Sequence, residues 1–252
     1  MTPIQGNALL WAARRERGLV AAGLVFVVAA GLWATLETGD WLMRPSAPAE
    51  GSATYFVVLF VMWWTMMMAM MMPSAAPAIL SFSAIARNIP AAGGLAIFAL
   101  GYAAIWSLFS LAATAMQFLT ADVIPMTGMM ALTSKVLGGL LLVAAGVYQL
   151  TPLKNACLKH CQSPFLYIAH HWRNGHGGAF RMGLSHGLYC TGCCWLLMLL
   201  LFYGGVMELK WIVGLAIYVA AEKLVPAKLR LDRFAGIALS AWGLWILAEA
   251  IS

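Results

Sequence analysis

Charge is scarce in this chain of 252 residues: Asp, Glu, Lys and Arg make up 10% of it, against 63% for the apolar types. So few charges cannot clothe a soluble domain of that size, which leaves the integral membrane class. Carboxylates are the scarcest, 9 acidic against 15 basic residues. No carboxylate pair and no Ser/His/Asp set lies within the apolar runs, so a protein-only hydrolase has no support. Histidine is equally thin there. Of the 5 in the chain only His186 falls well inside an apolar run, whereas a b-type haem needs two axial imidazoles from facing helices. The chain also lacks an internal repeat of 20 to 50 residues and any low-complexity tail. The net charge of +6 does not gather into a patch but is spread over short loops, which excludes nucleic acid as a partner and reads instead as a sidedness signal. With 5 cysteines, an odd number, and no extracellular disulfide framework, the thiols are left as ligands, redox groups or packing. No catalytic set emerges, and the chain reads as a binding protein rather than an enzyme.

What is abundant is apolar sequence in helix-length runs. Leu19–Leu36, Tyr55–Leu80, Leu95–Leu119, Met130–Leu150, Met182–Tyr203, Leu209–Leu224 and Phe234–Ile251 come close to the ~20 residues a span requires. The expected fold is all-α, a polytopic transmembrane bundle of about seven spans. Arg14, Arg15 and Arg17 before the first run resemble a signal peptide, but no small-x-small site precedes a polar region, so the first helix is expected to stay. With the N-terminus inside, every Lys and Arg except Arg44, Lys135 and Lys210 is cytoplasmic; this predicts N-terminus in and C-terminus out. Residues 1–252 form one integral membrane domain on this reading. Residues 1–18 are its cytoplasmic N-terminal segment, and 151–180 a cytoplasmic connection bearing Cys and His.

Three stretches carry soft ligands. The second run holds M-W-W-T-M-M-M-A-M-M-M-P, with Met62, Met66 and Met70 stacked at i, i+4 and i+8. One Met pair is ordinary gap filling; a thioether stripe this dense suits Cu(I). Pro73 and Pro77 are expected to kink its inner end. After the fourth run, Thr151 and Pro152 mark a fresh helix start, which puts Cys157, His160 and Cys161 of C-L-K-H-C on one side. Lys154 and Lys159 lie close by and favour thiolate. His170, His171 and His176 sit in a Gly-rich inner segment expected to be a headgroup-level loop. The fifth run contains H-G-L-Y-C-T-G-C-C, where His186, Cys190, Cys193, Cys194 and Met182 share one arc of roughly 120° at 100° per residue. In the expected topology all three stretches fall in the cytoplasmic half of the membrane, with Cys157 and Cys161 at the inner mouth.

The segments M-M-M-A-M-M-M-P-S-A-A-P, Y-Q-L-T-P-L-K-N-A-C-L-K-H-C-Q-S-P, G-L-Y-C-T-G-C-C-W-L-L-M and A-E-K-L resemble a bacterial family of integral membrane proteins of unknown function, described as predicted metal-binding. The likeness runs from about Tyr55 to the C-terminus. It implies a multi-helix membrane protein whose Met, Cys and His segments are its marks. On that basis Met66, Met70, Cys157, Cys161, His186, Cys190, Cys193 and Cys194 are the residues of interest, with Glu222 and Lys223 as an ion pair at the inner boundary.

The expected function is soft-metal binding in a bacterial inner membrane, foremost Cu(I) for transfer, transport or delivery to a metalloenzyme, because thiolate and thioether ligands select Cu(I) over hard cations. Cys157, His160 and Cys161 dock the ion, the Cys190 cluster holds it, and the Met stripe passes or receives it. One alternative is a membrane thiol-disulfide oxidoreductase, pairing Cys190 with Cys193 and Cys157 with Cys161. Another is an accessory subunit of a membrane complex stapled by zinc or an iron–sulfur cluster. Besides the lipid bilayer, the expected partners are a metallochaperone or a membrane enzyme complex, with a homo-oligomer also allowed.

Overall fold

The computed structural model describes residues 3–44, 46–47, 49, 51–86, 91–121, 124, 126–225 and 229–251, and for 3–17, 19, 91 and 92 the backbone alone. Arg87 and Lys228, counted above for sidedness, lie outside the described residues, as do the side chains of Arg14, Arg15 and Arg17. Every regular element described is helical, apart from an isolated antiparallel bridge between Met126 and Leu132.

In chain order the helices are α1 (Pro3–Leu42), α2 (Ala53–Met71), α3 (Ala76–Ile85), α4 (Ala91–Thr120), α5 (Lys135–Gln149), α6 (Pro152–Gln162), α7 (Pro164–His170), α8 (Gly175–Leu199), α9 (Leu201–Gly204), α10 (Leu209–Leu224) and α11 (Leu231–Ile251). Five stretches are long and apolar enough to cross a membrane: Val20–Leu42, Ala53–Ile85, Gly93–Thr120, Gly175–Gly204 and Leu231–Ile251. A sixth is reached if α5 and α6, bent by 64° at their junction, count as one broken span. The remaining expected span, α10, has 16 residues, about 24 Å at 1.5 Å per residue against a hydrocarbon core of about 30 Å.

Local chemistry sets the boundaries. Ser52 caps α2 by accepting from the Tyr55 backbone N–H at 3.2 Å, and Pro73, which has no N–H to donate, ends it in a 3-10 turn, Pro73–Ala75. Thr151 caps α6 by accepting from the Lys154 N–H, with Pro152 at its start. Two starts differ from expectation. The fourth run becomes helical at Lys135, not Met130: Met130 holds a left-handed φ of 53°, and the Ser134 hydroxyl caps the first turn by accepting from the Leu137 N–H at 3.3 Å. The fifth becomes helical at Gly175, so His176 belongs to its first turn rather than to a loop. Gly175 enters with φ +76°, and a Cβ on Gly178 would stand 2.6 Å from the Arg173 carbonyl carbon, so the glycine run is what lets the helix begin there. Residues 3–18, expected as the cytoplasmic N-terminal segment, form the first part of α1.

Bare backbone seams hold the bundle together. A Cβ on Gly243 of α11 would lie 2.7 Å from the Gly139 carbonyl oxygen of α5, and seven residues away one on Gly236 would lie 2.9 Å from that of Gly146. A Cβ on Gly101 of α4 would be 2.9 Å from the Leu184 nitrogen of α8. Small residues at such crossings replace the hydrophobic driving force that lipid does not supply. The outward faces carry large apolar side chains, among them Phe26, Leu119 and Ile251, which are 72%, 76% and 85% exposed. These surfaces and the long apolar helices are compatible with a membrane protein.

Candidate metal centre

The seam between α4 and α8 positions the centre. With Gly101 against Gly183, and Gly187 against the Ile105 side chain, the face of α8 bearing His186 and Cys190 is pressed onto the next residue of α4, Tyr102. The Tyr102 hydroxyl lies 3.0 Å from Cys190 Sγ and donates to the Met71 carbonyl oxygen, also at 3.0 Å. The His186 ring packs 5.7 Å from that of Tyr102 and 6.2 Å from that of Phe98. Its Nδ1 is buried without a partner, which is uncommon for an imidazole nitrogen and leaves it a free donor or acceptor.

Four thiols meet here. Cys190, Cys193 and Cys194 are each 1% exposed, and α6, turned back by its bend from α5, brings in Cys161. Cys161 faces Cys190 and Cys193, and Cys194 lies beside the same two, near enough for the thiols to influence one another electrostatically. Cys193 and Cys194 also donate to the Cys190 carbonyl oxygen at 3.0 and 3.1 Å. All five cysteines are free. Among the described residues no group of three or more His, Cys, Asp and Glu side chains already converges as a metal-holding set. Two of the four thiols, those of Cys193 and Cys194, aim at a backbone carbonyl.

The other expected ligands are placed differently. Cys157, half-buried, lies against α8, where a Cβ on Gly192 would come 2.9 Å from its sulfur. His160 turns away from the thiols, its ring stacked 4.0 Å from that of Tyr189 and its Nδ1 2.8 Å from the Ala156 carbonyl oxygen. The face expected to unite Cys157, His160 and Cys161 is therefore split. Met66 and Met70 are fully enclosed in the apolar core, as is Met182 on α8. The Met-rich helix reaches the centre through its C-terminal end, by the Met71 carbonyl and by Ser74 just beyond it.

Lys223 was expected to pair with Glu222; instead its Nζ donates to Cys190 Sγ at 2.9 Å and to Ser74 Oγ at 2.8 Å. Glu222 forms its ion pair with Lys154, receives the Tyr218 hydroxyl at 2.5 Å and the Gln149 amide at 3.3 Å. Neighbours on a helix stand 100° apart, so Glu222 and Lys223 face different partners. A signal for Lys223 existed: it continues the buried stripe Ile212, Leu215 and Val219 of α10 at spacings of three and four. Tyr102 had no comparable mark. Gln162 and Glu222, the chain neighbours of Cys161 and Lys223, line a cavity of about 360 Å³ between α6, α10 and the start of α11.

Residues 60–246 match a family described as PpoB2, copper chaperone. The chain belongs to the PpoB2 copper chaperone family. The matched segment includes all five cysteines, the Met-rich run, Tyr102, His186 and Lys223, and membership gives the chain a copper-handling role. No curated protein and no solved structure matches it. As cargo for the centre described, copper suits the donor set: thiols and a free imidazole nitrogen are ligands that monovalent copper accepts.

Proposed function

We propose that this PpoB2-family chain is a membrane-embedded copper chaperone of the bacterial inner membrane. It holds Cu(I) among Cys161, Cys190, Cys193 and Cys194 and passes it to a second metallochaperone or to a membrane enzyme under assembly. The observation that carries this reading is the meeting of Cys161 from α6 with three thiols of α8 in a chain of copper-chaperone lineage. Four soft donors in a dry setting favour a soft monovalent ion, since hard cations keep their affinity for oxygen. His186, with its free Nδ1, is an accessory ligand. Cys157 and His160, nearer the surface, are a docking point for arriving metal, while Met66 and Met70 pack the apolar core.

N-terminus in and C-terminus out requires an odd number of crossings. That holds if α5–α6 and α10 both cross, or if neither does. The thiol-exchange alternative fares worse, because an exchanging dithiol must meet its partner in solvent, and Cys190 and Cys193 are almost wholly enclosed. The test is anaerobic titration of the purified, detergent-solubilised protein with Cu(I) against a chromogenic chelator. Saturable binding, abolished by Cys190→Ser together with Cys193→Ser, is expected; a wild-type protein that yields all its copper to a weak chelator refutes the proposal.

A further inference from the structure

Lys223 is an ammonium in the wrong place for a structural ion pair. It is 6% exposed, and its two partners are a hydroxyl, Ser74 Oγ at 2.8 Å, and a sulfur, Cys190 Sγ at 2.9 Å. The nearby carboxylate, Glu222, is bound by Lys154, and these two neutralise each other. Among the described residues the ionisable groups near enough to balance Lys223 are Cys190, Tyr102, Cys193 and Cys194, and of these the sulfur of Cys190 is the one in hydrogen-bond contact with Nζ. A buried charge with no counter-charge is expensive in a medium of low dielectric constant, so the centre is built around one resident positive charge.

We infer that Lys223 is the specificity-determining countercharge of the Cu(I) site, matched to a metal held by two thiolates. This rests on the copper reading above and deepens it. Two thiolates on Cu(I) leave one negative charge, which the ammonium cancels; each thiol that becomes a ligand gives its proton to solvent. Two thiolates on a divalent ion leave no net charge, and Lys223 then stands uncompensated in a dry site. A divalent ion reaches neutrality there only by recruiting a third thiolate. Three thiolates on Cu(I) overshoot by one negative charge. The ammonium thus favours a two-sulfur Cu(I) centre that includes Cys190, and Ser74, tied by its own hydroxyl to the Met71 carbonyl at 2.8 Å, holds Nζ beside that sulfur. Lys223 acts through charge and position; it is not itself a ligand.

The full-length protein in detergent, under anaerobic conditions, is titrated separately with Cu(I) and with Zn(II), for wild type, Lys223→Met and Lys223→Arg. Lys223→Met is expected to weaken Cu(I) binding by at least about a hundredfold, the scale on which breaking a buried charge pair acts. It should also shrink the preference for Cu(I) over Zn(II), while Lys223→Arg, which keeps the charge, restores both. A mere structural role would lower both affinities together and leave the preference unchanged, and that result overturns the inference. Should Lys223→Met fail to fold, the decision passes to X-ray absorption at the copper edge of the loaded wild type. Two sulfur neighbours per copper support the countercharge, and three or four overturn it although copper is bound. Absence of Cu(I) binding by the wild type overturns the copper reading itself, and the inference with it.

Discussion

Cys157 and Cys161 sit one helical turn apart on α6, and the fold separates them: one sulfur rests against Gly192, the other faces the thiols of Cys190 and Cys193. Serine substitutions should separate them too. Cys161→Ser is expected to weaken Cu(I) retention by about tenfold or more, on the scale of one soft ligand lost, whereas Cys157→Ser leaves the equilibrium affinity near wild type and slows loading. Competition against a chelator for the first and stopped-flow loading for the second measure the two effects. At this scale the sequence was partly legible. Three thiols and His186 on one arc of α8 follow from helical spacing alone. The partner of Lys223 does not, because spacing says which way a side chain faces and not which helix it meets. His160 shows a second limit: its spacing from Cys161 is compatible with a shared site, but stacking on Tyr189 gives its ring an apolar and aromatic resting place that no periodicity announces.

At the scale of the element, the centre depends on how closely α4 and α8 approach. A side chain at Gly183 points into the Phe98 carbonyl and would meet the Gly101 Cα at 3.2 Å, so Gly183→Leu must drive the two helices apart. Overpacking of this kind costs about 1–3 kcal/mol, and here it also draws Tyr102 away from Cys190. The expected outcome is a lower unfolding midpoint together with faster reaction of Cys190 with a small, membrane-permeant alkylating agent; equal alkylation rates in wild type and variant would count against the seam. Several elements were readable before any coordinates. The run Leu209–Leu224 is α10 from end to end, and Thr151–Pro152 does open α6. The early start of α8 was not readable, since Gly175, Gly177 and Gly178 are breakers by propensity and become helical only because the chain folds tightly back at Arg173. The 64° bend before α6 is likewise tertiary: two capped helices in sequence do not state the angle between them.

For the whole molecule, the count of crossings is the open consequence of the architecture. Five helices suffice by length and composition, and the bent α5–α6 pair makes a sixth. A reporter fused after the C-terminus decides the parity: a domain that matures only outside the cytoplasm should be active there if crossings are odd, and silent if α5–α6 crosses without α10. The apolar composition in helix-length runs made the all-helical class evident, and the long apolar helices are compatible with a membrane setting, where few other folds are permitted. Composition gave no equal guide to α10, whose short run carries Lys210, Glu222 and Lys223 and packs its inner end on charged partners. The copper-handling role lay in the residue types of Met-rich and Cys-rich segments. The metal selectivity proposed above rests on the Lys223 ammonium, which three different helical segments, through Ser74, Cys190 and α10 itself, bring together.

The two bonds from Cys193 and Cys194 to the Cys190 carbonyl have a kinetic consequence. Thiol-to-carbonyl hydrogen bonds are weak, and releasing them takes a rotation about one side-chain bond while every helix stays where it is. Rotamer changes of exposed side chains take picoseconds to nanoseconds, against microseconds and longer for helix movements; enclosure slows the former without making them collective. A centre that rearranges in this way is ready almost as soon as metal arrives. Under the proposed function the pace of copper transfer is then set by encounter with donor and acceptor proteins, and tuning it falls to their docking surfaces rather than to the bundle.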